Sequence, residues 1–335
     1  MKKLDIRPIW IICLCALCIL TGCPLLLAGC AVSTAPLSQS GFFLDTVIQV
    51  TIYDSSKEAC LTECMSLADK YEKLFSTEIE GSDIWNINHS GGKPITVCDE
   101  TITVINTALT YCDITNGRID LTIESVSRLW DFHQDSAEGV TPDKESISKA
   151  LKHVNYHNIS INGNTITLTD PDASISLGFI AKGYIADKMK EYLISQNVKS
   201  AIINLGGNLL AVGSKPDGTA FQFGIQKPFD TRGAIITSLP VSDRSLVSSG
   251  IYERYFYQND VLYHHILDPA AGYPVQNNLL SVTIISDSSM EGDALSTSCF
   301  VLGLEEGLEL IESLDNVEAV FITDDYELHY SSGLF

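Results

Sequence analysis

The chain has 335 residues, with 42 acidic against 21 basic side chains and a formal charge of −21. A field of that sign disfavours nucleic acid and anionic lipid as partners, and it favours solubility and metal cations. Once a leader of about 40 residues is set aside, the rest suffices for one large domain or two intimate ones.

Lys2, Lys3 and Arg7 precede an almost unbroken apolar run from Trp10 to Leu27. That is the basic and then hydrophobic pattern of an export signal. Leu27-Ala28-Gly29-Cys30 reads as a bacterial lipobox, which makes residues 1–29 a signal peptide and Cys30 a lipid-bearing residue. The mature protein would then sit outside the cytoplasm, held to the membrane by acyl chains. Leu20-Thr21-Gly22-Cys23 has the same form, but Pro24 follows its cysteine. An uncleaved N-terminal membrane helix is the alternative to both. Ala31 to Gly41 is small and polar, so residues 30–41 read as a tether and 42–330 as the folded domain. Of ten cysteines, Cys60, Cys64, Cys98, Cys112 and Cys299 remain beyond the leader and the lipid site. Their number is odd and their spacing is not that of a zinc site. Cys60 and Cys64 share a helix face, where packing is the commoner role. Unpaired thiols on an exported protein fit a low-oxygen setting.

In chain order, Phe42 to Tyr53 alternates as a half-buried strand. A helix capped at Ser55 or Ser56 runs to Phe75, and residues 76–93 read as irregular. Thr101 to Thr115 is a helix stopped by Asn116-Gly117. Ile119 to Trp130 is extended chain with a short helix, 134–142 a polar loop, and Asp143 to Leu151 helical. Asn162-Gly163 turns a hairpin between 159–161 and 165–168. Ile175 to Leu177 reads as a strand that turns at Gly178 into a helix, whose apolar face is Ile180, Tyr184, Ile185, Met189, Tyr192 and Leu193. Strands follow at 201–204 and 209–212, then an antiparallel run from Phe221 to Leu267. A strand at 280–285, helices at 290–302 and 305–314 and a last strand at 319–322 complete the chain. Helices and antiparallel strands mix without a βαβ rhythm, so the fold class is α+β.

Four stretches carry chemistry, each with a plainer reading beside it. The strand-to-helix junction at Gly178 frees helix-start N–H groups for an anion, and Lys182 adds a cation; many such junctions keep a glycine for packing alone. Asn204-Leu-Gly206-Gly207-Asn208 lets backbone approach a ligand, or makes a simple turn. His264-His265-Ile-Leu-Asp268-Pro269-Ala-Ala-Gly272 offers a histidine for general base work or a packed histidine beside a turn. Strand alternation puts His264 and His265 on opposite faces. In Ser288 to Cys299, Asp293 and Thr297 stand four apart on one helix face. A carboxylate with a hydroxyl suits Mg²⁺ or Ca²⁺, although acids in a first turn also suit the helix dipole. Asn116-Gly-Arg118-Ile119-Asp120-Leu-Thr122 forms a further loop after a helix.

Together these residues resemble the ApbE family, the FAD:protein FMN transferases, over about residues 42 to 325. The resemblance rests on Leu-Gly-x-Ile-Ala-Lys-Gly-Tyr-x-x-Asp at 177–187, Asn-Leu-Gly-Gly-Asn at 204–208, His-x-x-Asp-Pro-x-x-Gly at 265–272 and Met-Glu-x-Asp-Ala-Leu-x-Thr at 290–297. It implies an ApbE-like, T-fold-related domain of largely antiparallel sheets flanked by helices. It implies Mg²⁺ between the Ala181 carbonyl, the Asp293 carboxylate and the Thr297 hydroxyl, bridging the pyrophosphate of the substrate FAD. It implies FAD contacts at Leu44, Glu78, Arg118, Ile119, Asp120, Gly178, Tyr184 and Leu267. His265 matches the histidine that activates the acceptor hydroxyl. Leu44 stands for a usual Met, Glu78 for a Tyr, Ile119 for a Phe, and Ala270-Ala271 for Arg-Thr. The implied reaction moves FMN from FAD to a Ser or Thr of a flavoprotein and releases AMP. The implied acceptor is a sodium-pumping quinone reductase or Rnf-type subunit, or an exported flavoprotein reductase. The alternatives are hydrolysis of FAD to FMN and AMP, and a non-catalytic flavin- or solute-binding lipoprotein.

Overall fold

A computed structural model of the protein describes residues 35–132 and 139–334. The leader, Cys23, Cys30, the start of the tether and most of the expected 134–142 loop lie outside the described residues. Among those described, no helix is long and apolar enough to cross a membrane.

The chain opens with the hairpin β1 (Leu37–Phe43) and β2 (Thr46–Ile52), then runs through helices α1 (Ala59–Phe75) and α2 (Asp83–Asn88). Next come β3 (Ile95–Thr96), α3 (Asp99–Ile114), α4 (Glu124–Ser127), α5 (Lys144–Ala150), β4 (Ile159–Asn162) and β5 (Thr165–Leu168). Helix α6 (Ala181–Ser195) leads to β6 (Ser200–Leu205), β7 (Asn208–Gly213), β8 (Phe221–Gln226), β9 (Ile235–Val241), β10 (Ser245–Gly250), β11 (Tyr255–Gln258) and β12 (Val261–His264). The last elements are β13 (Leu279–Ser286), α7 (Ser289–Leu302), α8 (Leu304–Glu312), β14 (Glu318–Thr323) and β15 (Leu328–Tyr330).

Eight strands form one sheet in the order β1-β2-β6-β7-β10-β13-β14-β15, every neighbour antiparallel. Every residue of β13 is buried, which marks the centre of the core. Helix α1 packs on β1 and β2, α6 on β6 and β7, α7 on β10 and β13, and α8 on β14. Neighbouring helices touch along this layer, α1 with α6, α6 with α7, α7 with α8. The fold is α+β with antiparallel sheets, as the sequence pattern indicates.

Several local expectations change. The tether does not reach Gly41, because the chain enters the sheet at Leu37, and folded chain continues past residue 330 into a 3-10 turn at Ser332–Leu334. The expected strand 42–53 is a hairpin broken at Leu44 and Asp45, both in the left-handed region (φ 53° and 55°). No Gly or Asn marks that turn; the Leu44 amide is instead held by Glu72 Oε1 at 2.7 Å. The stretch 76–93 contains α2, capped by the Ser82 hydroxyl on the Trp85 amide. Ile175 and Leu177 are buried, but their segment lies outside any sheet. The Asn88 side chain takes the place of a partner strand there, accepting from the Ile175 N–H at 2.7 Å and donating to the Ile175 carbonyl at 2.9 Å. The run from 221 to 267 divides among three sheets rather than forming one. The strand β15 follows the one expected to be last.

Candidate active site

Helices α6 and α7 cross where Gly183 allows it. A Cβ at Gly183 would lie 2.2 Å from the Ser289 carbonyl oxygen and 2.6 Å from the Met290 Cα. At this crossing each helix supplies an acid to the other's free N-terminal amides. Asp187 on α6 accepts from the Ser289 and Met290 amides of α7 at 2.8 and 3.0 Å, and from the Ser288 hydroxyl at 2.7 Å. Asp293 on α7 accepts from the Gly183 amide at 2.9 Å, two residues after the first residue of α6.

The Asp293 carboxylate is buried and, among the described residues, makes no salt bridge. Burial pushes its pKa up, opposed first by the Lys182 charge and then by the Gly183 amide. One turn along α7, the Thr297 hydroxyl lies 2.9 Å from the Ser249 hydroxyl on β10. Whichever of the two hydroxyls donates, the Thr297 oxygen keeps at least one lone pair for a cation. Ala181, the first residue of α6, brings a carbonyl to the same helix end. The buried carboxylate without a salt bridge, the hydroxyl one turn along the same helix and the carbonyl at the start of α6 are all oxygen donors, the kind a hard cation such as Mg²⁺ takes. A separate group, His153, Asp170 and Asp172, brings ligand atoms within 4.8 Å, but His153 and Asp170 are already paired at 2.8 Å.

The two histidines divide as alternation requires. His264 is buried edge-on to Phe300, with both ring nitrogens engaged, Nε2 on the Val275 carbonyl at 3.1 Å and Nδ1 on the Ile266 amide at 3.3 Å. His265 is partly accessible. Its amide and its Nδ1 both meet the Arg254 carbonyl at 3.2 Å. A carbonyl only accepts, so Nδ1 carries the proton and Nε2 keeps a lone pair. Desolvation first, then the charges of His264, Arg254 and Lys182, push the ring's pKa down to about 3, which leaves it neutral. Lys182 thus acts on both Asp293 and His265. Asp268 is a turn builder, accepting from the Ala270 amide at 2.8 Å, and Gly272 closes the turn at φ 71°. The Asn204–Asn208 stretch is the β6–β7 hairpin turn, with Gly206 and Gly207 at positive φ.

The other expected contacts gather mostly around residues 118–130. Arg118 pairs with Glu306 on α8 at 3.1 Å, and Ile119 is buried. Asp120 is buried too and is spent on the Thr122 and Tyr156 amides at 2.7 and 2.9 Å. Burial raises its pKa against those bonds. Glu78 is exposed, and its charge bears on Glu124 of α4. Gly178 follows Ser176, whose amide donates to the Leu121 carbonyl at 2.9 Å. Leu267 packs with Val126 and Trp130 in a small second core. Leu44 sits in the β1–β2 turn. The Tyr184 ring lies in an aromatic cluster, 5.4 Å from Tyr71 and 5.8 Å from Phe75. A cleft lined by Tyr111, Glu291 and Leu295 contains neither His265 nor Asp293. Sequence reasoning missed Ser249, Arg254, Glu72 and Asn88. Each acts through a partner distant in the chain, and no local pattern announces it.

The ApbE family model matches residues 44–321. An FAD:protein FMN transferase of Klebsiella pneumoniae (strain 342) is 35% identical over 300 residues, covering 88% of this chain and 92% of the relative. One of Treponema pallidum (strain Nichols) is 28% identical over 340 residues, covering 96% and 92%. Among solved structures, the flavin transferase ApbE from Vibrio cholerae superposes with a TM-score of 0.78 at 26% identity, covering 89% of this chain and 98% of that one. The ApbE protein from Thermotoga maritima gives 0.81 at 26% identity, covering 89% and 97%. Motifs, fold and relatives agree across nearly all of the described residues, and the chain belongs to the ApbE family.

Proposed function

We propose that this protein is an FAD:protein FMN transferase that moves FMN from FAD to a Ser or Thr hydroxyl of an acceptor flavoprotein and releases AMP. One observation carries the reading: the Arg254 carbonyl holds His265 Nδ1 at 3.2 Å, which leaves Nε2 of a partly accessible ring free to take a proton. In the proposed step His265 Nε2 takes the hydroxyl proton. The hydroxyl oxygen bonds to the FMN-side phosphorus as the phosphoanhydride bond to AMP breaks, and AMP carries that electron pair away. The Arg254 carbonyl fixes the ring orientation through Nδ1. Lys182 offers a fixed positive charge to the phosphates. Ala181, Asp293 and Thr297 would hold Mg²⁺, which when bound withdraws charge from phosphate oxygens. The FAD contacts proposed are Leu44, Glu78, Arg118, Ile119, Asp120, Gly178, Tyr184 and Leu267. The acceptor class proposed is an Nqr- or Rnf-type subunit or an exported flavoprotein reductase. We further infer from the leader that Cys30 anchors the protein on the outer face of the cytoplasmic membrane.

The test is intact mass of an FMN-binding domain incubated with the protein, FAD and Mg²⁺. A gain of one FMN is expected, and His265→Ala should lose it by about a hundredfold or more while still binding FAD. Undiminished transfer by His265→Ala would remove that residue from the mechanism. AMP and free FMN without a mass gain would make water the acceptor and the protein an FAD pyrophosphatase.

A further inference from the structure

The chain that holds His265 continues directly into an exposed aromatic face. Arg254, whose carbonyl meets His265, precedes Tyr255 at the start of β11. Tyr255 stands 5.8 Å from Tyr257 and 5.2 Å from Phe229, both edge-on. Tyr326 reaches the same loop through its hydroxyl, which donates to the Pro228 carbonyl at 3.3 Å. Phe229, Tyr326 and Tyr257 are 39%, 40% and 49% exposed, too much aromatic surface in one place to be incidental.

The loop between β8 and β9 is built to present this face. Phe229 is held at φ 58°, a conformation that a bulky side chain rarely adopts. The Gln226 side chain clasps the loop, donating to the Lys227 and Thr231 carbonyls at 3.0 and 3.1 Å and accepting from the Gly233 amide at 2.8 Å. Arg232 is exposed in this loop, whose Lys227 and Asp230 are paired with each other at 3.0 Å, and Arg254 joins the His265 contact to Tyr255. Both cations oppose the rise that burial causes in the pKa of Glu253.

We propose that this face, margined by Arg232 and Arg254, docks the acceptor protein, matching an apolar surface with acidic residues that flank the hydroxyl to be modified. The inference rests on the transferase reading, since a hydroxyl delivered to His265 must arrive on a protein that covers the adjoining surface. Preformed aromatic anchors lose little entropy on binding.

Phe229→Asn, Tyr257→Ser and Arg232→Gln test it. Asn tolerates the left-handed backbone at 229, so the loop is kept. With the FMN-binding domain of an Nqr-type subunit as probe, each variant should raise the acceptor KM on the order of tenfold. FAD affinity and acceptor-independent AMP release should stay at wild-type values. Arg232→Gln should also flatten the rise of KM with salt. An unchanged acceptor KM in all three variants, with wild-type transfer intact, would overturn the docking site. A wild-type dimer that the variants dissociate would overturn it too, by showing the face to be a self-association surface. If the wild-type protein releases AMP but leaves the probe unlabelled, the transferase reading fails first and this inference falls with it.

Discussion

Asp293 answers to two structures at once: it satisfies an amide at the start of α6, and it places a carboxylate under protein cover. The nearby Asp187 adds to the burial in raising its pKa. A raised carboxylate pKa means the folded state binds this proton more tightly than the unfolded state. The resulting cost to stability is absent below the ordinary carboxylate value. It grows as pH rises towards the raised folded value and persists above it. Asparagine at 293 would still accept from Gly183 without the charge. Metal-free Asp293→Asn should therefore melt higher than the wild type at neutral pH, by about 1 kcal/mol, and the difference should vanish in acid. The same variant should lose the dependence of transfer on Mg²⁺. A variant that melts lower at neutral pH would show that the charge is already compensated without metal. His265 is neutral at neutral pH, its pKa pushed down to about 3. The unfolded chain takes up that proton first as pH falls, so the ring costs stability in acid, equally in wild type and variant, and drops out of their difference.

At the scale of elements, the crossing of α6 and α7 turns on Gly183. Alanine is favoured over glycine in a helix by about 1 kcal/mol. Here the added Cβ would meet backbone at 2.2 Å, and backbone cannot rotate away as a side chain can. The steric term should win, and Gly183→Ala should lose about 3 kcal/mol, read from a denaturant midpoint. A midpoint unchanged or raised would mean the helices separate at little cost. These two helices were legible in the sequence because their apolar spacing and glycine positions are local. The Asp293–Thr297 pair was legible for the same reason. Ile175–Leu177 misled because its apolar, β-branched look is satisfied by the Asn88 side chain rather than by a strand. The Leu44–Asp45 turn misled because its left-handed residues are held by Glu72 from α1, without the residues that favour such a turn. Ser249 reaches Thr297 across 48 residues, and nothing near either one foretells the pair.

Across the whole molecule, the described thiols lie on helices α1, α3 and α7 or at the start of α3, and none lies in a strand. Cys60, Cys64, Cys112 and Cys299 are buried, Cys98 is partly so, and all five are free. Burial pushes the Cys64 and Cys112 thiols up to about 12, so these two are packing residues with little thiolate. The anchor inferred at Cys30 also belongs to this scale. Cys30→Ser should release the protein from the membrane fraction, with loss of the acyl mass, while transfer in solution persists. A variant that keeps its acyl mass would move the anchor to Cys23. The mutual capping of α6 and α7 has a consequence for how the chain is made. Its hydrogen bonds join residues 101 to 110 positions apart. A chain that emerges N-terminus first presents α6 before the acid that completes its first turn. The site therefore closes late, as one of the last cooperative events of folding, and a chain truncated before residue 293 should hold α6 only loosely.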